Sequence, residues 1–153
     1  MADIAVLGIG NILLRDDGIG VHIVNALEKD GVLPEVNLID GGTSILDLLD
    51  VFVKHKKVIV VDSLKGGHEP GTIYKLPHTE LGDYVRANQS LHDVQVLDII
   101  GQVELMGYKP EVVIVGIEPL EIYFEMALTE LIEAQIPKII ETVIEEVRGG
   151  QSA

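Results

Sequence analysis

Ile4-Ala5-Val6-Leu7-Gly8-Ile9-Gly10-Asn11-Ile12-Leu13-Leu14-Arg15-Asp16-Asp17-Gly18-Ile19-Gly20 is the stretch on which the reading of this chain turns. Its apolar run, residues 4–7, breaks at Gly8 and Gly10, which predicts a buried first strand ending in a tight turn. Past Asp17, residues Val21, Ile23, Val24 and Leu27 recur at near-helical spacing, so a helix is expected over about residues 18–29, ended by Gly31. A strand that hands over to a helix through a glycine turn is the start of an open α/β sheet, and ligands bind such sheets at the carboxyl ends of the strands. Two adjacent carboxylates, Asp16 and Asp17, fall on that edge.

Outward from this unit the alternation continues. Residues 36–39 read as a second strand, and Asp40-Gly41-Gly42-Thr43-Ser44 as the turn into a second helix carrying Ile45, Leu48, Leu49 and Phe52. Ser44 and Asp47 have the spacing of a capping box. Residues 57–61 are the most strand-like segment, with Asp62-Ser63 just past their end, and residues 71–76 alternate like a half-exposed edge strand. Ser90 is placed to cap a helix toward Asp93, with Val96, Ile99, Ile100, Val103 and Met106 as its apolar stripe and Gly107 as its stop. Residues 111–115 form a last strand. A final helix from about Thr129 carries Ile136, Ile139, Ile140, Val143, Ile144 and Val147 on one side and Glu141, Glu145 and Glu146 on a solvated side, with Pro137 expected to kink or restart it.

The whole of residues 1–153 fits one domain, with no repeat or linker. Apolar residues make up 47% and aromatics only 4%, so the core is built from Ile, Val and Leu, as suits a buried parallel sheet under helices. The absence of cysteine removes disulfides, thiolate metal sites and cysteine nucleophiles together. A formal charge of -14 repels phosphate backbones and anionic membranes, so neither nucleic acid nor a membrane is an expected partner. Met1-Ala2-Asp3 lacks a basic segment and no apolar run is long enough to span a bilayer, so the expected location is cytoplasmic.

Right-handed crossovers would bring Asp16, Asp17, Asp40 and Asp62 to one sheet edge. Were the first and third strands neighbours, about 4.8 Å apart, carboxylates past their ends would approach one another and need a cation or a shared proton. His92, in the first turn of its helix, would be kept neutral by the macrodipole and able to bind metal. Two carboxylates and an imidazole suit a divalent ion such as zinc or nickel. Each member also has a plainer reading: Asp16 or Asp17 as a helix cap, Asp62 as a loop cap, His92 as a solvent-facing residue. His22, His55, His68 and His78 are read as surface or packing residues.

Other chemistries lose their motifs. The dinucleotide fingerprint fails because Leu13 stands where its third glycine belongs, and because two acids would face the pyrophosphate. Neither a P-loop nor a G-x-S-x-G elbow is present. His68-Glu69 does not open a zinc-protease motif, since Pro70 breaks the helix and Thr72 replaces the second histidine.

Taken in order, Gly8-Ile9-Gly10-Asn11-Ile12-Leu13, Asp16-Asp17-Gly18-Ile19-Gly20, Asp40-Gly41-Gly42-Thr43, the strand ending at Asp62 and Ser90-Leu91-His92 resemble the hydrogenase maturation endopeptidases. That family trims the C-terminal extension from the large-subunit precursor of nickel-iron hydrogenases. The resemblance implies an α/β three-layer sandwich of phosphorylase/hydrolase-like form. Its five-stranded twisted sheet would be mainly parallel, with one antiparallel edge strand, and flanked by helices. It assigns Asp17, Asp62 and His92 as metal-contacting and catalytic residues, with Asp17 shorter in reach than the Glu of some members. It also assigns Asp40, Gly41, Gly42 and Thr43 to substrate recognition. The implied metal is nickel carried by the substrate, and another divalent ion such as zinc or cadmium would suit the same ligands. The metal or a water on it would promote peptide attack; carboxylates acting as general base and acid without metal are the mechanistic alternative. The segment 120–127, with Tyr123 and Phe124, departs from the family pattern and is expected to set which hydrogenase is accepted. A monomer is expected. The alternative function is a non-proteolytic nickel-sensing or chaperone module; a flavodoxin-like nucleotide-binding signalling domain is a third class, against which the acidic turn argues.

Overall fold

The computed structural model describes residues 3–42, 48–88 and 91–149. Five strands, β1 (Ile4–Ile9), β2 (Asn37–Gly42), β3 (Lys57–Ser63), β4 (Ile73–Pro77) and β5 (Glu111–Ile117), form one sheet in the order β2-β1-β3-β5-β4. All neighbours are parallel except β4, which runs antiparallel along β5 at the edge. The expected α/β architecture and edge strand are both present, and β1 does lie beside β3, pairing Gly8 with Val61.

The helices α1 (Ile19–Asp30), α2 (Leu49–Lys54), α3 (His78–Asn88), α4 (Leu91–Leu105) and α5 (Glu130–Gly149) complete three layers. Strand alternation sorts the core into two halves. Val6, Ile59, Val61 and Val115 face Ile23, Val24 and Leu27 of α1 and Ile139 and Val143 of α5. Leu7, Val58, Val60 and Ile114 face Phe52 of α2, Leu81 of α3 and Val96 and Val103 of α4. Full burial of each such side chain is worth roughly 1.5–3 kcal/mol, which anchors the helices over the strands. Gly31 closes α1 in the left-handed region, φ 66°, its N–H donating to Leu27 O at 3.1 Å, as its position in the sequence requires.

Four details depart from the sequence reading. α3 fills a stretch assigned no element, because Gly82 and a mostly polar composition leave little apolar periodicity there. Met106 lies beyond the end of α4 and is exposed rather than in its apolar stripe. Pro137 sits inside a continuous α5 rather than restarting it, and the chain tolerates one missing backbone donor there because Ile132, Ile139 and Val143 on either side are fully buried. Glu146 leaves the solvated face and lies against Lys57. The Ser44 and Ser90 caps and Thr43 lie outside the described residues.

Among the described residues no helix is long and apolar enough to cross a membrane.

Candidate active site

The acidic turn is shaped by two close approaches that only glycine permits. A Cβ on Gly10, at φ 135°, would stand 2.0 Å from Asp17 O, and one on Gly20 would stand 2.0 Å from Val61 O. The first contact lays the Asp17 backbone on the end of β1, and the second draws the start of α1 against β1 and β3. Between them residues Arg15–Gly18 form a short 3-10 turn. The Asp17 carboxylate is 9% exposed. It accepts the Asn11 backbone N–H at 2.9 Å and the Ser63 hydroxyl at 3.2 Å. Asp17 is thus fixed at the carboxyl ends of β1 and β3, where the sequence placed it.

Consecutive residues at the end of β3 serve opposite faces. Ser63 reaches Asp17 on the side of α1, while Asp62 shares the parity of Val58 and Val60 and faces α4. Asp62 is 2% exposed, and its Oδ1 finds no hydrogen-bond partner among the described residues. Its carboxyl is pushed well above the usual carboxylate range. Burial is the main cause; the like charge of Asp93, a hydrogen bond to the Asp93 side chain and the charge of Asp17 add to it, and only a backbone hydrogen bond from Ser63 opposes. Asp93, 3% exposed, is a member of this cluster that sequence reading assigned only to helix capping. Its position next to His92 was the available signal.

His92 occupies the first turn of α4, one residue before Asp93; its side chain lies outside the described residues. Of the triad, Asp17 and Asp62 are therefore brought together by described side chains, and the backbone of His92 by its helix. Among the described residues no three His, Asp or Glu side chains are grouped so as to hold a metal ion. The chemistry of the donors nevertheless fits a hard or borderline divalent ion: two acids interact through their charges, and one buried carboxyl oxygen has no hydrogen-bond partner among the described residues.

Asp40 stands exposed at the end of β2, paired with Gly8 and separated from β3 by one strand, about 10 Å from it at the usual strand spacing. Gly41 packs under Leu7 and Leu48, and Gly42, at φ 49°, accepts the Gly10 N–H at 2.9 Å. The proposed recognition segment thus runs beside the acidic turn on the same edge.

Asp16 has a different role from its neighbour. Fully buried, it accepts the backbone N–H groups of Leu120 and Glu121, each at 3.0 Å, and the N–H and hydroxyl of Thr129 at 2.9 and 3.0 Å. These bonds weld the loop between β5 and α5 to the acidic turn. On the other side, Glu118 Oε1 accepts the Gly66 N–H at 2.8 Å and the Tyr74 hydroxyl at 2.5 Å, and His68 Nδ1 lies 3.0 Å from the same hydroxyl. Glu118, Tyr74 and His68 tie down the segment that leaves β3. His55 is a packing residue, bonded to Asn37 and Val51 O.

Comparison with known proteins finds both sequence relatives and solved structures of the same fold. A family model described as hydrogenase maturation protease matches residues 21–146. The hydrogenase expression/formation protein HupD of Rhizobium leguminosarum bv. viciae is 36% identical over 149 residues, 95% of this chain and 74% of that protein. The hydrogenase 2 maturation protease of Escherichia coli (strain K12) is 34% identical over 148 residues, 95% of this chain and 90% of that protein. The solved structure of the hydrogenase maturating endopeptidase HybD from E. coli matches with a TM-score of 0.87 at 32% identity, over 98% of this chain and 94% of that one.

Proposed function

The chain belongs to the hydrogenase maturation protease family and is an endopeptidase, and from that premise we propose that it removes the C-terminal extension of a nickel-loaded hydrogenase large-subunit precursor. Nickel arrives as part of the substrate and is contacted by Asp17, Asp62 and His92. A zinc or cadmium ion would suit the same donors. The observation that carries this reading is the Asp62 carboxyl, buried beside two other acids with one oxygen lacking a partner among the described residues. Burial of like charges is costly without a cation, and a group held at such cost at the ligand edge of the sheet is a functional one.

In this reading the ion supplies Lewis acidity at the peptide carbonyl. Water then adds across the bond, its oxygen to the carbonyl carbon and its proton to the departing amine. Ser63 and the Asn11 N–H hold Asp17 in place, and the Asp62 and Asp93 side chains are hydrogen-bonded to each other beside it. Asp40, Gly41, Gly42 and Thr43 receive substrate backbone along the neighbouring edge. The protein works as a cytoplasmic monomer, without nucleic acid or membrane.

The test is to replace Asp17, Asp62 and His92 singly by Asn, Asn and Ala and to follow the precursor's intact mass. Loss of processing of at least about 100-fold is expected for each, the scale of removing a group that stabilises transition-state charge. Full processing by all three variants would sink the assignment. Mixing the wild-type protein with nickel-loaded and nickel-free precursor should give cleavage only with nickel. Metal-dependent binding with the C-terminal segment intact would instead support the chaperone reading.

A further inference from the structure

Ile12, Leu13, Leu120, Tyr123, Phe124 and Met126 are each more than a third exposed, with Phe124 at 79% and Met126 at 63%. They come from two loops joined side by side. Leu14 bridges Glu125 in parallel fashion, Glu125 N–H donates to Leu13 O at 2.9 Å and Arg15 N–H to Glu125 O at 2.8 Å. Beneath them the Asp16 carboxylate holds the backbone at Leu120, Glu121 and Thr129. Apolar side chains are thus displayed to water on main chain that is heavily fastened. Such fastening removes in advance part of the ordering cost of binding, and contiguous exposed apolar surface marks an interaction site.

The charges around this surface narrow its occupant. The Arg15 guanidinium is engaged by Glu121 at 3.1 Å and by Glu125, and stands 5.3 Å over the Tyr123 ring. Two carboxylates against one guanidinium leave the rim net negative, on a chain of formal charge -14. A second copy of this chain or a phosphate-rich partner would meet like charge; an apolar segment with a neutral or basic border would not. The turn that carries Ile12 and Leu13 also carries Asp17, so a substrate touching Asp17 arrives beside the platform.

We propose that the surface formed by residues 12–13 and 120–126 is a preorganised docking platform for an apolar, non-acidic segment of the hydrogenase precursor, aligned with the cleavage site by Asp16. This rests on the reading of the chain as a precursor endopeptidase. Its test uses a purified nickel-loaded large-subunit precursor that the wild-type protein cleaves, with cleavage rate followed against precursor concentration. The double variant Phe124→Ser/Met126→Ser should raise the half-saturating concentration about tenfold, with cleavage recovering as precursor is increased. Phe124→Leu/Met126→Leu should restore most of the loss, and thermal melting of both variants should match wild type. A half-saturating concentration unchanged in the Ser variant would overturn the platform while leaving the endopeptidase reading intact. A wild-type dimer dissolved by the Ser variant would assign the surface to a second copy and likewise overturn it. If no nickel-loaded precursor is cleaved by wild type, the endopeptidase reading fails and the platform's named occupant falls with it.

Discussion

The two ends of the sheet treat buried charge in opposite ways. At the amino end Lys57, at the start of β3, is nearly buried, yet its ammonium lies 3.0 Å from Glu146 O, 3.4 Å from Glu146 Oε2 and 3.8 Å from Glu111. Charge there is answered locally. At the carboxyl end of the same strand Asp62 is more deeply buried, and the charges that act on it, Asp93 and Asp17, have its own sign. One strand therefore begins in a closed ion cluster and ends in an open one. The closed cluster maintains the fold; the open one costs stability, which under the proposed function is retained for a ligand of opposite charge.

That contrast is best broken from the closed end. Lys57→Met keeps the aliphatic stem but removes the ammonium from Glu146, and should cost about 2 kcal/mol, less than breaking a fully buried pair because Lys75 still stands 4.0 Å from Glu146 Oε1. A chain of this size would then melt roughly 4–8 °C lower. Calorimetry measures the loss, and below the melting range cleavage of the nickel-loaded precursor should persist. A melting point unchanged by the substitution would show that the amino-end cluster contributes no more than a surface pair.

The mirror substitution sharpens the comparison. Asp62→Asn removes a carboxyl whose folded form prefers to be neutral, so it should stabilise the protein at neutral pH while removing cleavage, by about 1 kcal/mol, as is common when a strained functional residue is relieved. The sign follows from proton binding. With the folded pKa above the unfolded value of 3.8, the native state holds more protons between the two, and stability falls as pH rises through that window. Denaturant melts of both proteins across pH 3.5–8 should diverge in this direction; parallel curves would refute it.

The smallest effect belongs to His22, between the two ends on α1. Its Nε2 is buried with no partner among the described residues, and desolvation lowers its pKa below 6.5 despite the opposing charge of Glu133. The unfolded chain binds the proton more readily, so stability is present above 6.5 and declines as pH falls through the folded pKa. His22→Gln should flatten that decline by a few tenths of a kcal/mol at most, read from melts between pH 5 and 7.

How much of this could be read from the chain alone varies by residue. Gly31 announced the end of α1 because its left-handed conformation is a local requirement. Residues 57–61 announced a buried strand because four successive apolar side chains need cover on both faces. Asp17 and Asp62 were legible as acids at strand ends. Asp93 was not, since its neighbour in space is thirty-one residues distant in sequence and its local pattern resembles an ordinary cap. The family resemblance set Asp17 apart from Asp16, and the loop returning from β5 supplies the physical difference: one carboxylate is consumed by Leu120, Glu121 and Thr129, the other accepts from Asn11 N–H and Ser63.

By itself the sequence determined what depends on neighbours along the chain: strand and helix periods, the glycine turns, the exclusion of thiol and phosphate-binding chemistry, and the sheet edge on which the acids would lie. Tertiary structure decided what depends on neighbours in space. It pairs Asp93 with Asp62, spends Asp16 on a loop more than a hundred residues away, and draws Glu146 out of an acidic face to Lys57. The physical reason is that backbone conformation is set within a few residues, whereas the environment of a charge is set by whatever the fold brings within reach of it.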